Sequence, residues 1–128
     1  MIRTVRLGTR RAGGEGPRLG TVRRPPRGVP KARFAKDDWY DAWLPELSPS
    51  EALVKQGLHA RSAKDWESFA KKYRKEMAAP GPSRLLDVLA LLSRTTNFSV
   101  GCYCEDEARC HRSVLRGLLS ERGAKLAA

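Results

Sequence analysis

The sequence predicts an α/β fold: a small single domain with a short, mostly parallel sheet flanked by helices. Three segments, at 2–7, 18–24 and 98–104, have the alternating or continuous apolar composition of strands. Amphipathic segments between 48 and 92, and again from 111 to 121, carry apolar residues at helical spacing. Because a helical block fills the interval between the second and the last strand, the sheet is expected to have few strands.

The first strand alternates along its length and is expected to end at Gly8. The second begins at Arg18 and is followed by Pro25–Pro30, where three prolines and a glycine exclude regular structure. One or two helical turns are predicted over Asp37–Trp43.

The segment Ser48-Pro49-Ser50-Glu51 is typical of a helix start, with its first serine as the N-cap, and Gly57 is expected to end that helix. Ser62 is the predicted N-cap of the next helix, and Pro80-Gly81-Pro82 is expected to end it. Its packing stripe consists of Trp66, Phe69, Tyr73 and Met77. A third helix carries Leu85, Leu86, Val88, Leu89 and Leu92 on its apolar side. The last helix is predicted over His111–Glu121, with Gly123 as its C-cap.

Composition indicates an ordinary globular protein, a single domain over residues 1–128. Hydrophobic residues make up 41% and charged residues 30% of the 128 residues, and no apolar run approaches the roughly 20 residues of a membrane span. The first residues lack the apolar core of a secretion signal. Three cysteines, an odd number, favour a reducing compartment, so we expect a cytoplasmic protein without structural disulfides and without membrane partners.

The positive charge is concentrated near the start of the chain. The net charge is +11, and residues 1–36 hold 11 Lys and Arg against a single acid, Glu15. Such a balance predicts an anionic partner, either a small molecule or a nucleic acid. Residues 8–36 are rich in Arg, Gly and Pro, so part of this basic N-terminal region is expected to be mobile.

All three cysteines lie in one stretch that ends in Cys-His-Arg. Cys102, Cys104, Cys110 and His111 are four potential soft metal ligands. Structural zinc sites usually pair two Cys-x2–4-Cys knuckles, whereas this stretch has a Cys-x-Cys pair followed by two adjacent residues. We therefore predict no cofactor and keep a Cys/His metal site as an alternative.

Cys104 is the first candidate nucleophile, because a thiol in the loop between a strand end and a helix N-terminus can have its thiolate stabilised there. Cys110 is the second. The carboxylates of Glu105, Asp106 and Glu107 are expected to raise the pKa of Cys104 and to repel an anion. The other interpretation of Cys102 and Cys104 is that both are small buried core residues.

His111 and Arg112 open the last helix, where unpaired backbone N–H groups favour an anion. His111 is a candidate acid or base. Arg112 either holds an anion or pairs with the acids of the preceding loop. The aromatic residues Trp39, Tyr40 and Trp43 suit core packing or a stacking platform for bases.

Arginines also surround the proline pair of the earlier loop. Arg23, Arg24 and Arg27 flank Pro25-Pro26, and the ends of parallel strands meet at one edge of a sheet. This loop and the Cys-His-Arg turn could therefore line one cleft, with Arg23, Arg24, Arg27 and Arg112 as anion-binding residues. The other interpretation of the loop arginines is a solvated basic surface.

Three blocks together resemble the domain-of-unknown-function 488 family, in its YeaO-like branch. Val22–Lys31 is similar to the family's Arg-x-x-Pro-Arg-Gly segment. A second block joins Tyr40–Ser50 to the helix at Trp66–Arg74, and Cys102–Arg112 contains the family's Cys-His-Arg signature. The resemblance covers roughly residues 2–120. It implies a small α/β domain of bacterial type in which the arginine–proline loop and the Cys-His-Arg turn form one site, and it implies no particular activity.

These observations favour a protein that binds or acts on an anionic, phosphate-bearing ligand in the cleft between the arginine–proline loop and the Cys-His-Arg turn. The alternatives are a nucleic-acid-binding accessory domain without catalysis and a Cys/His metal-binding protein. Whether the protein is an enzyme, and its oligomeric state, stay open at this point.

Overall fold

The computed structural model describes residues 1–128 and confirms the α/β class. The strands are β1 (Ile2–Arg6), β2 (Arg18–Gly20), β3 (Ala42–Trp43) and β4 (Phe98–Cys102). The α-helices are α1 (Glu51–Leu58), α2 (Ala63–Met77), α3 (Pro80–Leu92) and α4 (His111–Glu121). Short 3-10 helices lie at Lys31–Arg33, Pro45–Leu47 and Glu107–Arg109.

The four strands form one sheet in the order β1-β4-β2-β3, and every neighbouring pair is parallel. The last strand of the chain, β4, therefore lies between the first two, with Val100 opposite both Thr4 and Leu19. Because the strands are parallel, the segments that follow them all leave the sheet at the same edge. We call it the carboxyl edge.

The main core lies between the sheet and the four helices. Ile2, Phe98 and Val100 share one face of the sheet, and the helices cover that face with buried apolar residues. The predicted stripe of α2 contributes Phe69, Tyr73 and Met77, all buried. The helix side of this core also includes Leu53, Leu86, Leu89, Val114, Leu115, Leu118 and Leu119. Val88 and Leu92 of α3, expected on its packing side, are instead 50% and 45% exposed.

A second, smaller core lies at the carboxyl edge. Its buried members are Leu7, Val22, Tyr40, Cys102 and Cys110, and each comes from a different segment of the chain. Aromatic residues of two loops pack against it, namely Phe34, Trp39 and Tyr103. Two cysteines thus hold the end of β4 and the start of α4 against the loops that follow β1 and β2.

The second strand is shorter than predicted, because side chains replace a neighbouring strand after Gly20. The carbonyl of Thr21 faces the ring of His111, and the carbonyl of Val22 accepts a hydrogen bond from the indole of Trp43. The predicted helical turns over Asp37–Trp43 are wrong in part. Asp38 has a φ of 62°, which breaks a helix, and Ala42–Trp43 pairs with β2 as β3.

The first helix begins two residues later than predicted, with Ser50 and not Ser48 as its N-cap. The Ser50 hydroxyl accepts from the amide of Leu53 at 3.3 Å. The carbonyls of Ser48 and Pro49, which an earlier start would use inside the helix, accept instead from the guanidinium of Arg23. A distant side chain therefore sets this boundary.

The proline-rich segment between the second and third helices has a different role from the one predicted. α2 does end before it, at Met77, but Pro80-Gly81-Pro82 forms the first turn of α3. Proline fits there because the first turn of a helix has no internal partner for its N–H groups. α4 has its predicted bounds, and Gly123 follows it with a φ of 77°. None of the helices has both the length and the apolar character needed to cross a membrane.

Candidate functional site at the carboxyl edge of the sheet

The three cysteines meet at the carboxyl edge. Cys102 and Cys110 are buried, with their Sγ atoms 2.7 Å apart, whereas Cys104 is exposed. The amide of Cys104 donates to the Sγ of Cys102 at 3.3 Å. We call these three residues the thiol cluster. It consists of two core thiols and one thiol open to solvent, so the core-packing interpretation fits Cys102 and does not fit Cys104.

The acids between Cys104 and Cys110 are engaged away from the thiols. Glu105 lies 3.9 Å from the guanidinium of Arg6, Asp106 caps the 3-10 helix by accepting from the amide of Ala108, and Glu107 accepts from the hydroxyl of Thr4. Glu107 therefore fixes the loop to β1, and Asp106 stabilises the 3-10 helix within the loop. The expectation that these three carboxylates raise the pKa of Cys104 is wrong, because that pKa is lowered.

Contacts within the thiol cluster separate the acidities of its members. The neighbouring thiols of Cys102 and Cys110 lower the pKa of Cys104 to about 3, and the nearby charge of Arg112 acts in the same direction. The pKa of Cys102 is raised by its two neighbouring thiols and by burial. A hydrogen bond from Cys102 lowers the pKa of Cys110. These contacts favour the thiolate form at Cys104 and Cys110 and the neutral thiol at Cys102.

His111 joins the end of β2 to the thiol cluster. Its Nε2 lies 2.8 Å from the carbonyl oxygen of Thr21, which can only accept, so Nε2 carries a proton. The other ring nitrogen, Nδ1, faces the Sγ of Cys110 at 3.7 Å. Both ring nitrogens of this buried histidine face protein groups, and the ring packs edge-on against Tyr73.

Arg112 of α4 is buried against the loop that contains Cys104. Its guanidinium is only 3% exposed and donates to the carbonyl of Cys104 at 2.6 Å, while its Nε has no hydrogen-bond partner. It makes no ion pair with the acids of the loop. This buried cation lies beside Cys102 and Cys110 and stabilises negative charge on the cluster.

The loop arginines are divided between structural contacts and an open surface. Arg23 donates to the carbonyls of Ser48 and Pro49, and Arg24 is paired with Glu51. Arg27 is exposed and has neither a hydrogen bond nor an ion pair. Only Arg27 of the three therefore has its guanidinium free for a ligand.

A cleft of about 570 Å³ opens at the carboxyl edge beside Arg27. We call it the carboxyl-edge cleft. Its lining consists of Arg6, Leu7, Gly8, Thr9, Pro25, Pro26, Arg27, Trp39 and Tyr103. The hydroxyl of Tyr103 donates to the carbonyl of Arg24 at 2.8 Å and so links the loop after β4 to the arginine–proline loop. Of the predicted site residues, Arg27 alone lines it; Arg23, Arg24, Cys104, Cys110, His111 and Arg112 do not.

Sequence reasoning did not identify Arg6, Thr9 or Tyr103 as site residues. Alternation places Arg6 on the same side of its strand as the apolar Ile2, and Thr9 follows a glycine that indicates only a strand end. Their common signal is position, since both lie where β1 reaches the carboxyl edge. That signal becomes useful only once β1 is known to neighbour β4.

Cys102, Cys110 and His111 also form the only group that brings three potential metal ligands together, with ligand atoms within 4.8 Å of one another. Two sulfurs bound to one zinc ion at roughly 2.3 Å lie about 3.8 Å apart in a tetrahedral site. The sulfur–sulfur distance of 2.7 Å is much shorter than this edge. We therefore do not assign these residues as ligands.

Comparison with protein families gives one match over nearly the whole chain. The family model DUF488-N3a, described as "Active DUF488-N3 subclade", matches residues 2–123. Searches of curated proteins and of solved structures find no match. The match covers all four strands, the carboxyl-edge cleft and the complete thiol cluster. Membership of the YeaO-like branch within the family stays a prediction. The chain belongs to the DUF488 family.

Proposed function

We propose that the protein binds a small anionic, phosphate-bearing ligand in the carboxyl-edge cleft and presents the thiolate of Cys104 beside it as the reactive group. One observation carries the proposal. The only charged residues that line the cleft are Arg6 and Arg27, and no carboxylate lines it. An arginine fork matches the oxygens of a phosphate or carboxylate in two parallel hydrogen bonds.

The two arginines differ in how much of each is free. Arg27 has no intramolecular partner, so its whole guanidinium is available. Arg6 uses Nε to donate to the carbonyl of Tyr103 at 3.2 Å and has a long contact of 3.9 Å with the exposed Glu105. A weak exposed ion pair of this kind contributes little and is readily exchanged for a ligand. Arg6 therefore acts as a fixed second cation.

Cys104 supplies a reactive group at the same edge. It does not itself line the cleft, but it directly follows Tyr103, which does, and it is the exposed member of the thiol cluster. A thiolate, not a thiol, is the nucleophilic form of cysteine. The nearby charge of Arg112, which donates to the carbonyl of Cys104, and the two neighbouring buried thiols favour that form.

The experiment is alkylation of Cys104 by iodoacetamide, followed by peptide mass spectrometry, with inorganic phosphate as the competing probe. Because the pKa of Cys104 is about 3, the alkylation rate should stay flat between about pH 5 and pH 8. An ordinary thiol with a pKa near 8.5 would become faster by roughly a thousand-fold over those three pH units. Such a rise for Cys104 would contradict its role as the reactive thiolate.

Phosphate should slow the alkylation in the native protein and lose this effect in Arg27→Met. Arg84→Met is the matched control, because Arg84 is also exposed and unpaired but lies on α3, outside the cleft. Equal protection in both variants, or none in the native protein, would exclude the cleft as the anion site.

The nucleic-acid alternative has weaker support, because much of the N-terminal charge is neutralised within the chain. Five arginines of this region each face a carboxylate: Arg6, Arg11, Arg18, Arg24 and Arg33. A phosphate-backbone mode requires affinity for DNA or RNA that falls steeply with salt. A salt titration with a labelled oligonucleotide tests it.

The metal alternative has a direct test in elemental analysis of the purified protein. One equivalent of zinc or iron bound by Cys102, Cys110 and His111 would replace the free thiol cluster with a metal centre. Less than about a tenth of an equivalent would leave the thiol arrangement as described.

A further inference from the structure

Besides the two arginines, the carboxyl-edge cleft has aromatic walls that indicate what the rest of the ligand is. We propose that the ligand has a planar heterocyclic ring as well as its anionic group, and that it belongs to the class of nucleoside monophosphates, with its ring against Trp39 and Tyr103 and its phosphate at Arg27 and Arg6. This inference rests on the proposed function and extends it to the other half of the ligand.

Two aromatic side chains line the cleft together. The rings of Trp39 and Tyr103 have their centroids 5.9 Å apart and an interplanar angle of 75°. In such an edge-to-face pair each ring keeps at least one face that the other does not cover. Both side chains are half-buried, and both line the cleft. A flat ring can therefore stack on one of them while its edge contacts the other.

The aromatic wall is held rigidly, which favours recognition of a ring over nonspecific burial. A Cβ built on Gly8 would lie 2.8 Å from the indole of Trp39, so the ring packs directly on the glycine backbone. The hydroxyl of Tyr103 is fixed by its hydrogen bond to the carbonyl of Arg24. Rings that are ordered before binding lose little conformational freedom when a ligand stacks on them.

The chemistry of the lining changes from one side of the cleft to the other. Arg27 follows the stiff Pro25-Pro26 pair, which holds the cation away from the bulk of the loop. The hydroxyl of Thr9 already donates to the carbonyl of Arg6, so its oxygen remains an acceptor for a sugar hydroxyl or a ring N–H. A volume of about 570 Å³ falls in the range of small-ligand sites, roughly 300–1,000 Å³, and accommodates ring, sugar and phosphate together.

The charge count limits the size of the anionic group. Two arginines face the cleft, and Glu105 and Asp106 lie on the adjoining loop. A monophosphate carries between one and two negative charges near neutral pH, which two guanidinium groups neutralise. A triphosphate would bring additional charge without further cations, so the monophosphate is the better match.

The test is a binding comparison by calorimetry with three probes: inorganic phosphate, ribose 5-phosphate, and the four ribonucleoside 5′-monophosphates measured separately. At least one nucleotide should bind about ten-fold more tightly than ribose 5-phosphate, which is within the range measured for one stacked base. Trp39→Leu should abolish this advantage and leave the affinity for ribose 5-phosphate unchanged. Trp43→Leu is the control, because Trp43 is 45% exposed and does not line the cleft.

The outcomes separate this inference from the proposed function. Equal affinities for ribose 5-phosphate and all four nucleotides would overturn the ring-binding inference and leave the anion site intact. No binding of any probe, including phosphate, would overturn both. If Trp39→Leu does not fold, Tyr103→Leu takes its place, and an unchanged nucleotide advantage in that variant would also overturn the inference.

Discussion

Arg18 and Glu15 form an ion pair whose removal should reveal how the cleft is held together. The pair is almost completely buried, with side-chain exposures of 1% and 3%, and the Nε of Arg18 donates to Glu15 at 2.6 Å. The same guanidinium donates to the carbonyl of Thr9 at 2.8 Å and to the carbonyl of Asp38 at 2.7 Å. Thr9 lines the cleft and Asp38 precedes Trp39, so Arg18 ties two of its walls together.

The substitution Glu15→Gln should destabilise the protein by about 3–5 kcal/mol, the range observed when one member of a buried pair is removed. The change keeps the shape of the side chain and removes only the charge, so the loss reflects a guanidinium left buried without its counter-ion. Asp37→Asn is the matched control. It breaks an ion pair with Arg33 whose side chains are 60% and 37% exposed, and such exposed pairs contribute little to stability.

Urea denaturation of both variants, followed by tryptophan fluorescence, gives the two free energies of unfolding. Glu15→Gln should also weaken phosphate binding in the cleft, whereas Asp37→Asn should not. A loss below about 1 kcal/mol for Glu15→Gln, equal to that of an exposed pair, would refute the argument that this ion pair is buried and structurally required.

The same pair gives stability a defined pH dependence. Burial by itself would raise the pKa of Glu15, but the hydrogen bonds from Arg18 and from the amide of Ala12, together with the charges of Arg18 and Arg11, outweigh it and hold that pKa below the ordinary value of 4.5. A carboxyl group with a lowered folded pKa stabilises the protein above its unfolded pKa, and this contribution is lost as the pH falls through the folded value. Native stability should therefore fall below about pH 4.5, more steeply than in Glu15→Gln.

Three further predictions concern the residues around the cleft and the thiol cluster. Gly8→Ala should lower stability by about 1–2 kcal/mol or more in thermal unfolding, because Gly8 has a φ of 86° and an added Cβ would meet Trp39. Gly28→Ala is the control, because Gly28 has a φ of 74° but open space around it, so its loss measures the backbone contribution alone. Equal losses in the two variants would contradict the packing argument. His111→Leu should raise the pKa of the Cys110 thiol, because in the native protein a hydrogen bond from the His111 ring lowers that pKa. Thiolate absorbance measures the titration, and an unchanged pKa would rule out the hydrogen bond between His111 and Cys110. Tyr73→Phe should cost about 0.5–1.5 kcal/mol in urea denaturation, since the buried hydroxyl donates to a main-chain carbonyl at 2.6 Å, and no loss would mean that this bond contributes nothing.

Periodicity in the sequence predicted the elements that bury an apolar stripe. The stripe of α2 and the bounds of α4 could be predicted because each presents apolar residues to the same core at helical spacing. β3 could not be predicted in this way. It has only two residues, Ala42–Trp43, both exposed, and it exists because β2 offers a free edge beside it. A strand that depends on a neighbour leaves no periodic pattern of its own.

Long-range hydrogen bonds explain the boundaries that sequence reasoning placed wrongly. Ser48 and Ser50 are equally good N-caps by residue type, and Arg23 decides between them by binding the carbonyls of Ser48 and Pro49. The chemistry of Cys104 was obscured for a similar reason. Three adjacent acids suggest a raised pKa, but Thr4 and Arg6 of β1, about a hundred residues away in the chain, engage two of them.

Three arginines of the N-terminal quarter, whose composition predicted an anionic partner, are used in three distinct ways. Arg18 is buried and joins two loops, Arg23 binds main-chain carbonyls, and Arg27 faces the cleft without an intramolecular partner. The first two build the loops that hold the third in place. A basic segment can therefore serve a small site: five of its 11 Lys and Arg side chains face carboxylates, and the charged residues that line the cleft are Arg27 and Arg6.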